Sequence, residues 1–99
     1  MFNQDMLNKL QVLQKQAEES KSRLDAIKIV EDAGGGLIRI SLNGNRKLES
    51  LEINADLSVI TKEDLEDLIS VALTRALDRA NALNEQEMMS SAQSLFPGM

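Results

Sequence analysis

The chain contains neither His nor Cys, which removes the commonest general base, thiol nucleophiles, disulfides and the ordinary zinc ligands. Chemistry would have to rest on carboxylates and cationic side chains. The densest carboxylates are Glu63, Asp64, Glu66 and Asp67, a set that could in principle attract a divalent cation. They lack the spaced ligands and loop glycine of a calcium site, and on a helix they point to different sides. A solvated helix start explains them better. No spacing buries one acid against another to shift its pKa, so no enzyme activity, metal, cofactor or small-molecule substrate is expected.

Two other groups could touch a ligand. Gly34-Gly35-Gly36 resembles a phosphate-cradling loop in composition, but such loops lead into a helix N-terminus, and this one leads into an alternating strand. It reads as a turn. Arg75 and Arg79 lie one helical turn apart and project from one side. They are either part of a solvated face or a pair of guanidinium groups suited to phosphates. Lys9, Lys15, Lys21 and Arg23 point at different angles around the first helix and make no clean basic stripe.

The elements that would position these groups follow from periodicity. Met6, Leu10, Leu13, Ala17, Ser20, Leu24 and Ile27 repeat at the 4-3 spacing of a coiled-coil seam, predicting a projecting helix over residues 3–25. It would be roughly 35 Å long, and its narrow stripe needs a partner helix. Residues 27–53 read as a three-stranded antiparallel meander, with turns at the triple glycine and at Asn43-Gly44-Asn45, where residues tolerant of positive φ cluster. Ile38, Ile40 and Leu42 share one strand face, as do Leu51 and Ile53. Thr61 is placed to cap a second helix over residues 61–89, with a wide apolar face from Leu65 to Leu83. Residues 90–99, beginning at Ser90-Ser91 and containing Pro97-Gly98, read as a flexible tail.

Ninety-nine residues at 42% apolar content accommodate one domain with a thin core. The only aromatic residues are Phe2 and Phe96, so stacking on bases is not available to the centre of the molecule. The net charge of −5 is uneven: residues 1–48 carry eight basic and six acidic side chains, and residues 49–99 carry three and ten. No stretch is suited to export or to crossing a bilayer, and the absence of Cys fits a reducing cytosol. A soluble cytoplasmic protein without membrane attachment is expected.

The run Gly34-Gly35-Gly36-Leu37-Ile38-Arg39-Ile40-Ser41-Leu42-Asn43-Gly44, followed by Leu51-Glu52-Ile53-Asn54, resembles the YbaB/EbfC family of bacterial nucleoid-associated proteins. The order and length of the elements agree over residues 1–99. The resemblance implies an α+β fold of α-β-β-β-α order, forming a homodimer whose sheets and second helices make the core while the first helices project like the arms of tweezers. It also implies non-enzymatic DNA binding at the nucleoid, with little sequence preference. Where the family commonly has Asp-Pro after the third strand, this chain has Asn54-Ala55, a looser corner. Under this reading Lys9, Lys15, Lys21, Arg23, Arg75 and Arg79 face DNA phosphates in a weak, salt-dependent complex. The rival reading is a protein-interaction module, using the acidic second helix and the coiled-coil-like first helix.

Overall fold

The computed structural model describes residues 3–95. The first helix, α1, spans Gln4–Ala26 and starts where the Asn3 side chain accepts the Met6 N–H at 2.9 Å. Three strands follow, β1 (Lys28–Ala33), β2 (Ile38–Asn43) and β3 (Leu48–Ile53), and then a long helix α2, Lys62–Leu95. The sheet is antiparallel in the order β1-β2-β3. The expected α-β-β-β-α order is therefore the observed one.

The two turns differ in how they use glycine. Gly34, Gly35 and Gly36 all have positive φ, at 66°, 69° and 94°, a sequence of left-handed residues that only glycine adopts cheaply. In the second turn the residues tolerant of positive φ are Asn43-Gly44-Asn45, but the positive φ falls on Arg46, at 69°. The Asn43 side chain accounts for the shift. Its Oδ1 accepts the N–H groups of Asn45 at 2.9 Å and Lys47 at 3.0 Å, which closes the turn one residue later than the glycine suggests. Gly44 is required for a different reason. A Cβ there would lie 2.6 Å from the Leu24 carbonyl oxygen, so the hairpin tip meets the end of α1 backbone to backbone. Beyond this turn β3 carries a bulge: Ser41 faces Ser50 but Leu42 faces Leu48, leaving Glu49 as the extra residue.

The core lies between α2 and the first two strands. Ile29 and Ala33 of β1, Ile38, Ile40 and Leu42 of β2, and Ala72, Ala76 and Ala80 of α2 are all buried. The three alanines recur every fourth residue, so the helix presents a smooth line that the β-branched side chains of the sheet can approach closely. Each buried Ile or Leu contributes about 1.5–3 kcal/mol by leaving water. Coverage stops at β2. Leu51 and Ile53 face the same side as their partners Ile40 and Ile38, yet remain 43% and 42% exposed.

Thr61 caps α2 as expected, its Oγ1 accepting the Asp64 N–H at 3.1 Å. The helix does not end near residue 89. It continues to Leu95, because Ser90-Ser91 is followed by Ala92 and Gln93 with no Gly or Pro to stop it, and serine costs a helix only a fraction of a kcal/mol, roughly. The remainder of the expected tail, residues 96–99, lies outside the described residues, as does Phe2.

The C-terminal half of α2 passes the sheet and runs beside α1. Ser20, Arg23 and Leu24 of α1 turn toward α2 and the second hairpin. Toward its start α1 loses this cover, and the seam residues Met6, Leu10 and Leu13 are 46%, 49% and 41% exposed. The chain is correspondingly long, 67 × 23 × 21 Å, with a radius of gyration of 19.4 Å against roughly 13 Å for a compact domain of this size.

Candidate nucleic-acid interface

The six basic residues singled out in the sequence occupy two separate regions. Lys9, Lys15, Lys21 and Arg23 are exposed on α1. Steps of six residues turn a helix by about 240° each, so Lys9, Lys15 and Lys21 leave on three different sides. None of the three forms an ion pair among the described residues. The backbone beneath Lys21 is anchored, however, because its carbonyl accepts the Asn45 side chain at 3.0 Å, and the same Asn45 amide donates to Asp25 at 2.6 Å. Lys21 therefore leaves from a fixed point at the base of the arm.

Arg23 is engaged. Its Nε and Nη2 donate to the two carboxylate oxygens of Glu87 on α2, at 3.1 and 2.8 Å, and Ser20 Oγ donates to the same carboxylate at 2.9 Å. The Arg23 hydrogen bonds, followed by that from Ser20, hold the Glu87 carboxyl below its usual range. Reciprocally, the bond to Glu87 raises the Arg23 guanidinium. This clamp joins the two helices of the arm.

Arg75 and Arg79 lie on the side of α2 that borders β1. Gly44 N–H donates to the Ile27 carbonyl, so alternate residues from Ile29 onward bond β2 while Val30 and Asp32 turn their carbonyls outward. Arg79 Nη1 donates to the Val30 carbonyl at 3.1 Å and to Glu31 Oε1 at 3.0 Å, and Arg75 Nη1 donates to the Asp32 carbonyl at 3.4 Å. The lengths match: four residues of helix rise about 6 Å, and two residues of strand about 6.6 Å. The pair thus closes an open sheet edge that would otherwise invite another strand.

Further cations are exposed at the sheet. Lys28 and Arg39 alternate with the buried Ile29 and Ile38 and so face outward, a placement that strand alternation already signals for Arg39, and Lys47 is exposed in the second turn. Arg39 sits between Asp32 of β1 and Glu52 of β3 in register, so neighbouring acids offset its charge. Among the described residues no group of three or more acidic side chains is placed to hold a metal ion, and no helix is long and apolar enough to cross a membrane. The arrangement offers exposed amines on a protruding rod, a form that suits contact with a polyanion.

A model of the YbaB/EbfC DNA-binding family matches residues 1–95. A nucleoid-associated protein of Flavobacterium johnsoniae is 35% identical over 94 residues, covering 95% of this chain and 88% of its own. Another, from Rickettsia bellii, is 36% identical over 100 residues, covering 98% and 92%. In shape the chain resembles the crystal structure of an uncharacterized Helicobacter pylori protein, HP0035, with a TM-score of 0.70 over 96% of this chain and 99% of that one. At 23% identity that likeness speaks for the fold alone.

Proposed function

This chain belongs to the YbaB/EbfC DNA-binding family, and on that premise we propose that it works at the nucleoid as a homodimer that grips the DNA backbone with little sequence preference and catalyses nothing. The observation that carries this reading is the contrast among its cations. Lys9, Lys15 and Lys21 stand exposed on a rod with no ion pair among the described residues, so they meet phosphates without first giving up a partner. Arg23 and Arg79 must leave Glu87 and Glu31 to do so, and Arg75 must leave the β1 edge. The lysines make first contact, and the three arginines add to it only where DNA offers more than their present partners do.

The proposed dimer rests on the uncovered part of the sheet. Leu51 and Ile53 face the core side without a helix above them, and Leu73 and Leu77 are only partly buried. A second copy laid over this strip supplies the burial that a core closed by two strands and a row of alanines lacks. The dimer would carry two arms, each bearing the same three lysines.

A gel-shift titration of duplex DNA tests this reading. In low salt the wild type binds, and the affinity falls steeply at moderate salt, where releasing phosphate counterions gains less. Lys9→Glu/Lys15→Glu/Lys21→Glu weakens binding most, and Arg75→Glu/Arg79→Glu weakens it less. Undiminished binding by the lysine variant removes α1 from the interface. The rival reading as a protein-interaction module is favoured by the net charge of −5; a partner that stays bound after complete nuclease digestion would support it.

A further inference from the structure

The two ends of the molecule are unlike and complementary. At one end, the start of α1 exposes Met6, Leu10 and Leu13 along a single seam, with Lys9 beside them. At the other, where the first turn and the loop after β3 meet the start of α2, there is an open pocket of about 630 Å³ whose apolar lining comprises the half-buried Ile60 and Leu68 and the more exposed Leu37 and Val59. Its rim carries the carboxylates of Asp56, Asp64 and Asp67. Asp56 is held in place by Ser58, whose Oγ and N–H donate to it at 2.6 and 2.9 Å.

Little offsets the charge at the pocket end. From Glu49 to Asp67 there are seven acids and one lysine, and that lysine, Lys62, pairs with Glu66 rather than with the rim. The acids are not grouped to hold a metal ion among the described residues, so the rim suits a broader cationic surface with an apolar body. The α1 tip has that character. It cannot reach the pocket of its own chain, because α2 carries the pocket at its start and the arm at its far end along a molecule 67 Å long.

We propose that the α1 tip of one copy docks into the carboxylate-rimmed pocket of another, with Met6, Leu10 and Leu13 against its apolar lining and Lys9 among Asp56, Asp64 and Asp67. The contact joins two different surfaces, so it is head to tail and repeats from copy to copy, into an open chain or a closed ring according to the rotation between copies. It uses neither the exposed β3 strip proposed for the dimer nor any DNA. A DNA-bound rod and a docked rod also compete for Lys9, so assembly and DNA binding at the arm tip draw on one side chain.

Sedimentation of the full-length protein without DNA, over a range of concentrations in low and in moderate salt, tests the proposal. The mass of the wild type in low salt rises with concentration past its basic unit, monomer or dimer, and returns to that unit as salt rises. Lys9→Glu weakens the growth by roughly tenfold or more in concentration, and Asp64→Lys/Asp67→Lys does the same. An equimolar mixture of the two variants regains growth, because reversed tip then meets reversed pocket while native tip meets native pocket. Leu10→Ser, which leaves all charges in place, also weakens growth. A wild-type mass fixed at the basic unit in low salt overturns the proposal, as does a mixture no larger than its components. A fixed mass equal to two chains would overturn the docking while leaving the dimer intact; a fixed mass of one chain would count against both.

Discussion

The half of α2 that lies on the sheet and the half that runs beside α1 form one continuous helix, yet different interactions hold them. On the sheet, Ala72, Ala76 and Ala80 are buried against Ile29, Ile38, Ile40 and Leu42, and the contact is apolar and tightly packed. Along the arm the joining groups are polar: Ser20 and Arg23 on Glu87, and Asn84, whose side chain donates to the Gly44 carbonyl at 2.7 Å. Burial is indifferent to salt and to moderate pH, whereas exposed charge pairs are screened by the one and titrated by the other. The packing of the scaffold half is therefore firm, and the contact between α1 and the arm half is the one that salt and acid weaken.

The largest effect should come from the scaffold. Ala76→Leu places three extra carbons where the helix touches the strands, and destabilises the whole domain by about 1–3 kcal/mol in a denaturant titration. A loss of less than a few tenths of a kcal/mol, roughly, would mean that helix and sheet are not closely packed there.

Next in size is the joint between the halves. Gly44→Ala forces a carbon against the Leu24 carbonyl, and since the obstacle is backbone the end of α1 must shift. Amide exchange is expected to quicken over the last turn of α1 while β1 and β2 keep their protection. Equal loss in both regions would erase the distinction drawn between them.

A smaller effect is expected from pH. The folded-state pKa of Glu87 is lowered by Arg23 and Ser20, so its contribution is present above the ordinary glutamate value of about 4.3 and is lost as pH falls through the lowered value. Exchange at Ser20 and Arg23 should rise across that acid range in the wild type. In Glu87→Gln it should be raised already at neutral pH and show no such step. Smallest of all is Arg79→Ala, which removes an exposed pair with Glu31; its effect on stability stays within about 1 kcal/mol. Its readout is association: an uncovered β1 edge pairs with other strands more readily.

These differences also explain what could be read from the sequence. The order of elements was legible because each has its own period, and Thr61 was legible as a cap because its partner is three residues away. The triple-glycine turn was legible because its φ values demand glycine. Arg46 was not, since its positive φ follows from two hydrogen bonds to Asn43 rather than from any preference of arginine. The partners of the candidate site residues were hidden for another reason. Glu87 is 64 residues from Arg23, and Val30 is 49 from Arg79, so the pairings depend on how the helices are set against each other and on the sheet. Periodicity places a residue on a face, but it does not say what that face meets.

If DNA is held by the exposed lysines of the arm, as proposed, binding measured over a series of salt concentrations will show it. For the wild type the logarithm of affinity should fall linearly with the logarithm of salt, and Lys9→Glu/Lys15→Glu/Lys21→Glu should flatten that slope by about one for each phosphate no longer neutralised. A slope unchanged by the lysine variant but flattened by Arg75→Glu/Arg79→Glu would take the interface off the arm and place it at the edge of the sheet.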